Sequence, residues 1–212
     1  MKRCVIVGGA RISDYGRIKS YLRKDDFFIY CDGGLNHKNA LGFEADLVAG
    51  DFDSFNLKDA PAGVELIKLP THKDDTDVFF AAKTAVERGF TDFVLVGVTG
   101  DRLDHTMCNL SVLLYLFQNK KNAFAVDDYS IIKIAGSIAG STVELIDDSF
   151  SYFSLMCISG KAEKVTIKNA EYPLDNATIE PSYQYAVSNR VLKGKTAEVT
   201  VGQGQLLLIK VF

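Results

Sequence analysis

Up to about residue 120, the chain alternates short apolar runs with longer segments in which apolar residues recur every three or four positions. The apolar runs are residues 4–7, 28–31, 46–50, 64–69 and 93–97. The segments of helical period are residues 14–24, 74–88 and 104–119. Because short strands that alternate with such segments are typical of βαβ units, the pattern predicts a parallel sheet packed against helices.

After about residue 123 the pattern changes to short apolar or alternating segments separated by turn residues. These segments are residues 131–134, 142–146, 152–158, 165–167, 196–201 and 206–211. Several short strands at this spacing are typical of a sandwich or a barrel-like domain. We therefore predict an α/β fold followed by an all-β fold, with a parallel-sheet domain over residues 1–125 and a C-terminal β-sandwich over residues 126–212.

Acidic residues follow four successive apolar runs of the first half. They are Asp32, then Asp51 and Asp53, then Asp74, Asp75 and Asp77, and finally Asp101 and Asp104. The carboxyl ends of parallel strands meet at one edge of a sheet, where open α/β sheets bind ligands, so we expect these carboxylates to share a cleft. Crowded carboxylates repel one another or take up protons. They therefore predict a hard divalent cation, most simply Mg²⁺ carrying a polyphosphate.

Two of the acidic motifs contain pairs of residues that suit a shared metal ion. In the G-D-x-D-S motif, Asp51 and Asp53 are alternate residues of an extended segment and point the same way. The alternative is an Asp-rich turn that caps a helix. In the K-D-D-T-D motif, a helix that starts near Asp74 or Asp75 places Asp74 and Asp77 on one face. The alternative is that Asp74 and Asp75 only pair with the helix dipole. We expect Asp77 to lie beyond the helix cap and to bind metal.

Basic residues beside these motifs suit phosphate groups. Lys73 opens the second motif, and Arg102 lies in a glycine-containing loop between an apolar run and a helical segment. The planar guanidinium of Arg102 suits phosphate oxygens. Asp104 is either a cleft residue or a helix N-cap, and His105 is either a site residue or an ordinary histidine at a helix start. Gly8-Gly9-Ala10, after the first run, is too short to predict a dinucleotide site.

Composition and charge narrow the function classes. The 212 residues are 47% hydrophobic and 24% charged, with a net charge of −3, as in an ordinary soluble globular protein. Lys and Arg are scattered rather than gathered into a basic stripe, so nothing predicts nucleic-acid binding. Four distant cysteines without a C-x-x-C motif fit a reduced cytoplasm. No run approaches the roughly 18 apolar residues that would predict a membrane span.

Taken in order, the motifs resemble those of the thiamine pyrophosphokinase family. They are D-G-G from Asp32, G-D-x-D-S from Gly50, K-D-x-T-D from Lys73 and G-x-x-G-x-R-x-D-H from Gly97, and they cover most of residues 30–110. The resemblance implies an α/β domain followed by a β-sandwich and a homodimer. It also implies transfer of a pyrophosphoryl group from ATP to thiamine with Mg²⁺, releasing AMP.

By this resemblance, Asp51, Asp53 and Asp77 hold the metal and the phosphates, and Asp32 supports the same acidic centre. The other residues that it places in the site are Lys73, Thr76, Arg102, Asp104, His105, Ser188 and Asn189. In the family the thiamine site lies between subunits, so the serine and asparagine of one chain are expected to face the acidic centre of the other. Asp101 departs from the pattern, because many relatives have a second glycine there.

The proposed substrate also fits the residues present. Pyrophosphoryl transfer needs Mg²⁺ to neutralise charge and a carboxylate to accept the hydroxyl proton of thiamine, and the acidic motifs supply carboxylates for both tasks. Thiamine is a cation, so an acidic cleft and aromatic rings favour it. Tyr183 and Tyr185, near the serine and asparagine, are the candidate rings.

Two other functions fit part of the pattern. In a haloacid-dehalogenase-like phosphohydrolase, a D-x-D motif supplies a nucleophile and an acid/base, and Asp51 and Asp53 form such a motif here. That motif usually follows the first strand, whereas this one follows the third apolar run, and an all-β second half is unexpected there. The second alternative is a non-catalytic thiamine or nucleotide sensor. Release of AMP only when thiamine is added separates the enzyme from both.

Overall fold

The computed structural model of the chain describes residues 3–50, 63–69, 75–136, 142–158 and 160–212. The chain divides into two compact units, Met1–Asp128 and Tyr129–Phe212. The first unit is an α/β fold and the second is all-β. This confirms the predicted fold class.

Within its described residues, the first unit contains six parallel strands in the order β4-β3-β2-β1-β5-β6. The strands are β1 (Cys4–Val7), β2 (Phe27–Cys31), β3 (Leu47–Gly50), β4 (Glu65–Lys68), β5 (Asp92–Val96) and β6 (Asn122–Val126). The helices are α1 (Tyr15–Ser20), α2 (Lys38–Leu41), α3 (Asp77–Glu87) and α4 (Leu103–Gln118), and a 3-10 helix covers Asp32–His37. Strands β2 to β4 lie on one side of β1 and β5 and β6 on the other, so the switch point of the sheet is between β1 and β5.

The central strands are almost entirely apolar because helices cover the sheet. All four residues of β1 and of β3 are buried, whereas β4, at the end of the strand order, exposes most of its side chains. Helix α3 buries a small-residue stripe that includes Ala81, Ala82 and Ala85, which lets it lie close to the strands. The predicted parallel sheet is therefore confirmed for this unit.

Two helices differ from their predicted bounds. Helix α1 ends at Ser20 rather than near Lys24, because Asp26 accepts hydrogen bonds from the backbone N–H of Arg23 and from the guanidinium of Arg3, which holds this segment in a turn. Helix α3 begins at Asp77, not near Asp74 or Asp75. The sequence pattern also missed β6, the 3-10 helix and α2.

The second unit is a β-sandwich. Strands β7 (Ser130–Gly136), β13 (Gln205–Val211) and β9 (Tyr152–Met156) pair antiparallel in that order. Strands β11 (Leu174–Ile179), β10 (Ala162–Lys168), β12 (Thr196–Gln203) and β8 (Thr142–Asp147) form a second antiparallel sheet. One apolar core joins Leu155 and Leu208 of the first set to Val165 and Val199 of the second. Strand β11 was not predicted, because its polar residues mask the alternation.

None of the helices in the described ranges is both long and apolar enough to cross a membrane.

Candidate active site

A cleft of about 470 Å³ opens at the carboxyl ends of the parallel strands of the first unit. This volume lies in the range of sites that hold small molecules, and the cleft spans the switch point between β1 and β5. Its walls come from the loops after β1, β2 and β5 and from the first turns of α3 and α4. The lining residues include Gly8, Gly9, Ala10, Asp32, Gly33, Thr76, Asp77, Asp101, Arg102, His105 and Asn109.

Two of the predicted carboxylates, Asp32 and Asp77, line this cleft although 45 residues separate them in the sequence. Asp32 follows β2 as the first residue of the 3-10 helix and is buried. Gly50, at the end of β3, packs against it, since a Cβ there would lie 2.8 Å from the Cβ of Asp32. The glycine of the G-D-x-D-S motif is therefore required by Asp32. Asp51 and Asp53 themselves lie outside the described residues.

Helix α3 starts later in the sequence than predicted, and this changes the position of Asp77 in the helix. The Thr76 hydroxyl accepts a hydrogen bond from the backbone N–H of Phe79 at 3.3 Å, so Thr76 is the N-cap and Asp77 is the first helical residue. Asp77 therefore lies directly after the cap, and the predicted helix start near Asp74 or Asp75 was wrong. At this position the carboxylate lies at the positive end of the helix dipole. Asp75 instead pairs with Lys83 at 2.8 Å, and Lys73 and Asp74 lie outside the described residues.

Arg102 and Asp104 form an ion pair at the start of α4. Their Nη2 and Oδ2 atoms are 2.6 Å apart, and the side chains are 66% and 67% exposed. The hydrogen bond from Arg102 lowers the pKa of Asp104 to about 2 and raises the pKa of Arg102. Asp104 is the second helical residue, so its alternative role as the N-cap is wrong. Arg102 lines the cleft with its charge already paired, and His105 lines the cleft one residue further on.

Asp101 has a left-handed backbone conformation, with φ of +44°. This explains why glycine suits the position, because glycine adopts positive φ without steric cost and aspartate is one of the few other residues that tolerate it. The Oδ2 atom of Asp101 accepts a hydrogen bond of 2.7 Å from the backbone N–H of Arg11. Asp101 therefore joins the loop after β5 to the loop after β1.

Sequence reasoning missed two sets of cleft residues. Gly8-Gly9-Ala10 forms one wall, and Gly8 cannot carry a side chain because its Cβ would lie 2.6 Å from the carbonyl oxygen of Gly97. Asn109 is buried on α4 and donates a hydrogen bond of 2.7 Å from Nδ2 to the carbonyl oxygen of Val98. The available signals were the glycine pair after the first strand and a polar residue on the buried face of a helix.

The residues predicted to contact thiamine lie in the second unit. The Asn189 side chain is buried and forms hydrogen bonds with nearby backbone groups. Its Oδ1 accepts from the N–H groups of Tyr172 and Arg190, and its Nδ2 donates to the carbonyl oxygen of Tyr172. Ser188 is exposed with φ of +58°. The Asn189 side chain therefore holds the segment at residue 172, and the contact of this pair with thiamine stays a prediction.

The two candidate aromatic rings are accessible. Tyr183 is 70% exposed and Tyr185 is 39% exposed, and their ring centres lie 5.1 Å apart. The Tyr185 hydroxyl donates a hydrogen bond of 2.6 Å to the carbonyl oxygen of Thr178, which fixes that ring. Tyr185 also borders a pocket of about 40 Å³ with Tyr172 and Asn189.

The side chains of the cleft bear on whether it can hold a metal ion. Among the residues that the structure describes, no three His, Cys, Asp or Glu side chains meet as metal ligands. Asp32 and Asp77 both line the cleft, and carboxylate oxygens are the donors that Mg²⁺ prefers. The chemical type of these side chains therefore fits Mg²⁺.

A cleft at the switch point of a parallel sheet, in a chain that continues into a β-sandwich, defines an α/β enzyme with an additional β domain. The family model for the thiamin pyrophosphokinase catalytic domain matches residues 18–125, and the model for the thiamin pyrophosphokinase vitamin B1 binding domain matches residues 141–206. The chain belongs to the thiamine pyrophosphokinase family. The resemblance drawn from the motifs is confirmed, and the phosphohydrolase alternative is not favoured.

Individual relatives share the fold of this chain and align with almost all of its length. Thiamine pyrophosphokinase from Bacillus subtilis is 24% identical, with 99% of each chain covered, and its crystal structure superposes with a TM-score of 0.85. The thiamin pyrophosphokinase structure from Geobacillus thermodenitrificans is 26% identical over 99% of this chain and 97% of that one, with a TM-score of 0.82. The yeast enzyme is 13% identical over 100% and 86% of the chains, with a TM-score of 0.74.

Proposed function

We propose that the chain transfers a pyrophosphoryl group from ATP to the hydroxyl of thiamine, giving thiamine pyrophosphate and AMP. The observation that carries the proposal is that Asp32 and Asp77 line one cleft within the part of the chain that matches the catalytic-domain model. The thiamine oxygen attacks the β-phosphorus of ATP. The bond from that phosphorus to the oxygen that bridges the α- and β-phosphorus atoms breaks, and AMP leaves with that oxygen. A carboxylate of the cleft accepts the hydroxyl proton.

Asp51, Asp53 and Asp77 are the proposed ligands of Mg²⁺, with Asp32 beside them. The metal, when bound, supplies positive charge that offsets the charge of the polyphosphate. The contact between Gly50, which precedes Asp51 in the chain, and Asp32 supports this grouping. The carboxylates of the chain position the metal and take up the proton.

Lys73, Thr76, Arg102 and His105 are the proposed residues for the phosphates of ATP. Thr76 contributes by fixing the first turn of α3, whose positive dipole end favours an anion. Arg102 offers its guanidinium to phosphate oxygens, and Asp104 holds that guanidinium at the start of α4.

Thiamine is proposed to contact Ser188, with Tyr183 or Tyr185 against its cationic ring. Asn189 acts there by holding the neighbouring segment in place. A homodimer in which these residues face the partner's acidic cleft is the proposed assembly. The cytoplasm is the proposed compartment, since its reducing conditions suit the four cysteine thiols of this chain.

The test is incubation of the chain with thiamine, ATP and Mg²⁺, followed by chromatography of the products. Equal amounts of thiamine pyrophosphate and AMP support the proposal. Phosphate release without thiamine supports a phosphohydrolase, and Mg²⁺-dependent binding without AMP supports a sensor. Turnover that survives a chelator, or full activity in Asp53→Asn, contradicts the metal assignment.

A further inference from the structure

The loop after β1 forms one wall of the cleft and is held by contacts with several other segments. Gly8 N–H donates to the carbonyl oxygen of Val96 at 2.8 Å, and Ala10 N–H donates to that of Gly97 at 2.9 Å. Further along, the N–H groups of Ser13 and Asp14 donate to the carboxylate of Asp128.

Between these two anchored stretches, the backbone of Arg11 is held by a side chain. Its N–H donates to Oδ2 of Asp101 at 2.7 Å, and 90 residues separate the two in the sequence. A carboxylate that accepts a backbone N–H at this distance forms a charge-assisted hydrogen bond, which is stronger than a neutral one. Asp101 itself lines the cleft, next to Arg102.

The left-handed backbone at position 101 suits glycine, so the aspartate there needs a further reason. A glycine meets the φ of +44° without strain but has no carboxylate to bind Arg11. Aspartate accepts some steric cost at this φ and gains the contact to the opposite loop. The hydrogen bond to Arg11 therefore explains the aspartate at this position, whereas backbone conformation alone does not.

We propose that Asp101 is a positioning residue, which holds the loop after β1 against the loop after β5 and so fixes the wall of the cleft that receives the phosphates of ATP. The last part of this inference rests on the proposed function. Asp101 acts through the backbone of Arg11 and touches no reacting atom.

Three chains test the inference: the wild type, Asp101→Gly and Asp101→Asn. The glycine variant keeps the φ of this position and removes the carboxylate, so KM for ATP is expected to rise about three- to tenfold, with kcat and KM for thiamine within about twofold of the wild type. Asparagine tolerates the same φ and its amide oxygen can accept from Arg11, so Asp101→Asn is expected to return KM for ATP toward the wild-type value. Unchanged KM for ATP in Asp101→Gly overturns the inference, and so does an equal rise in both variants, which would show that the hydrogen bond to Arg11 is not the cause.

Hydrogen exchange gives a second readout that does not depend on activity. The Arg11 amide is expected to lose protection in Asp101→Gly and to keep most of it in Asp101→Asn, while the Ser13 and Asp14 amides, held by Asp128, stay protected in both. Retained Arg11 protection in the glycine variant overturns the inference. If the wild type makes no thiamine pyrophosphate but Arg11 responds as expected, the proposed function fails and the link between the loops stands.

Discussion

At the scale of single residues, Asp75 and Asp77 show how two neighbouring carboxylates differ in surroundings. Asp77 lines the cleft as the first residue of α3, whereas Asp75 pairs with Lys83 outside it. We expect Asp77→Asn to lower kcat/KM at least about a hundredfold, because the amide keeps the size of the side chain but removes the charge that a metal needs. Asp75→Asn is the matched control and is expected to keep wild-type turnover. AMP formation measures activity, and the urea midpoint checks the fold.

The opposite activities of these two variants would contradict the assignment of Asp77 to the acidic centre. Full turnover in Asp77→Asn, with a normal urea midpoint, would remove Asp77 from the acidic centre. A large loss in Asp75→Asn would show that the position of α3, rather than the carboxylate in the cleft, limits the reaction.

His37 is expected to make the stability of the first unit depend on pH. Its Nε2 lies 3.0 Å from the carbonyl oxygen of Ala10, so Nε2–H donates there and Nδ1 accepts from the Tyr15 hydroxyl at 2.8 Å. Burial lowers the pKa of His37 from its ordinary value of 6.5, and the backbone hydrogen bond opposes this effect only in part. Between the folded and the unfolded pKa the unfolded chain binds more protons, so stability rises with pH through this window.

We therefore expect the stabilisation to be complete above about pH 6.5 and to be lost as the pH falls from there through the lowered pKa of His37. Urea unfolding at about pH 7.5 and about pH 5 measures the loss. The glutamine in His37→Gln does not titrate, so this variant should show a smaller pH dependence of stability than the wild type. An unaltered dependence in His37→Gln would exclude His37 as its source.

At the scale of elements, the start of α3 is set by its N-cap. Removing the hydroxyl in Thr76→Ala leaves the Phe79 N–H without its partner, so we expect the free energy of unfolding to fall by about 0.5–2 kcal/mol. Thr76→Ser keeps a capping oxygen and should lose much less. Urea titration of the three chains measures the difference. Equal stability of the alanine and serine variants would show that the cap contributes little.

At the scale of the whole molecule, the proposed homodimer can be tested by complementation. Asp77→Asn removes a charge of the acidic cleft. Ser188→Lys adds a positive charge where thiamine is expected, and lysine tolerates this backbone, since Lys120 and Lys164 have φ of +59° and +55°. If sites are shared, the mixed dimer regains one intact site, and an equal mixture should reach about a quarter of wild-type activity.

The control for complementation is a chain that carries both substitutions, mixed with Asp77→Asn. No intact site can form in that mixture, so it should stay inactive. Subunit exchange is followed with chains of different mass. If exchange occurs and the first mixture also stays inactive, the thiamine site lies within a single chain.

The sequence alone determined the class of fold and the edge at which the acidic residues gather. Apolar runs such as residues 4–7 and 93–97, which alternate with segments of helical period, are typical of parallel strands covered by helices, and the structure buries the strands that they form. A carboxylate that follows such a strand has to emerge at the carboxyl edge, so Asp32 was predictable there. The family was predictable for the same reason, because its motifs lie at these strand ends.

Only the tertiary structure decided which partners those residues have. The contact of Asp101 with Arg11 spans 90 residues, and the Asn189 amide bonds a segment 17 residues away. Local periodicity carries no signal for such contacts, since they depend on how loops from different strands meet at one edge. The start of α3 at Asp77 was missed for a more local reason: three aspartates and a threonine in a row all suit a helix N-terminus, and the structure selects Thr76 as the cap.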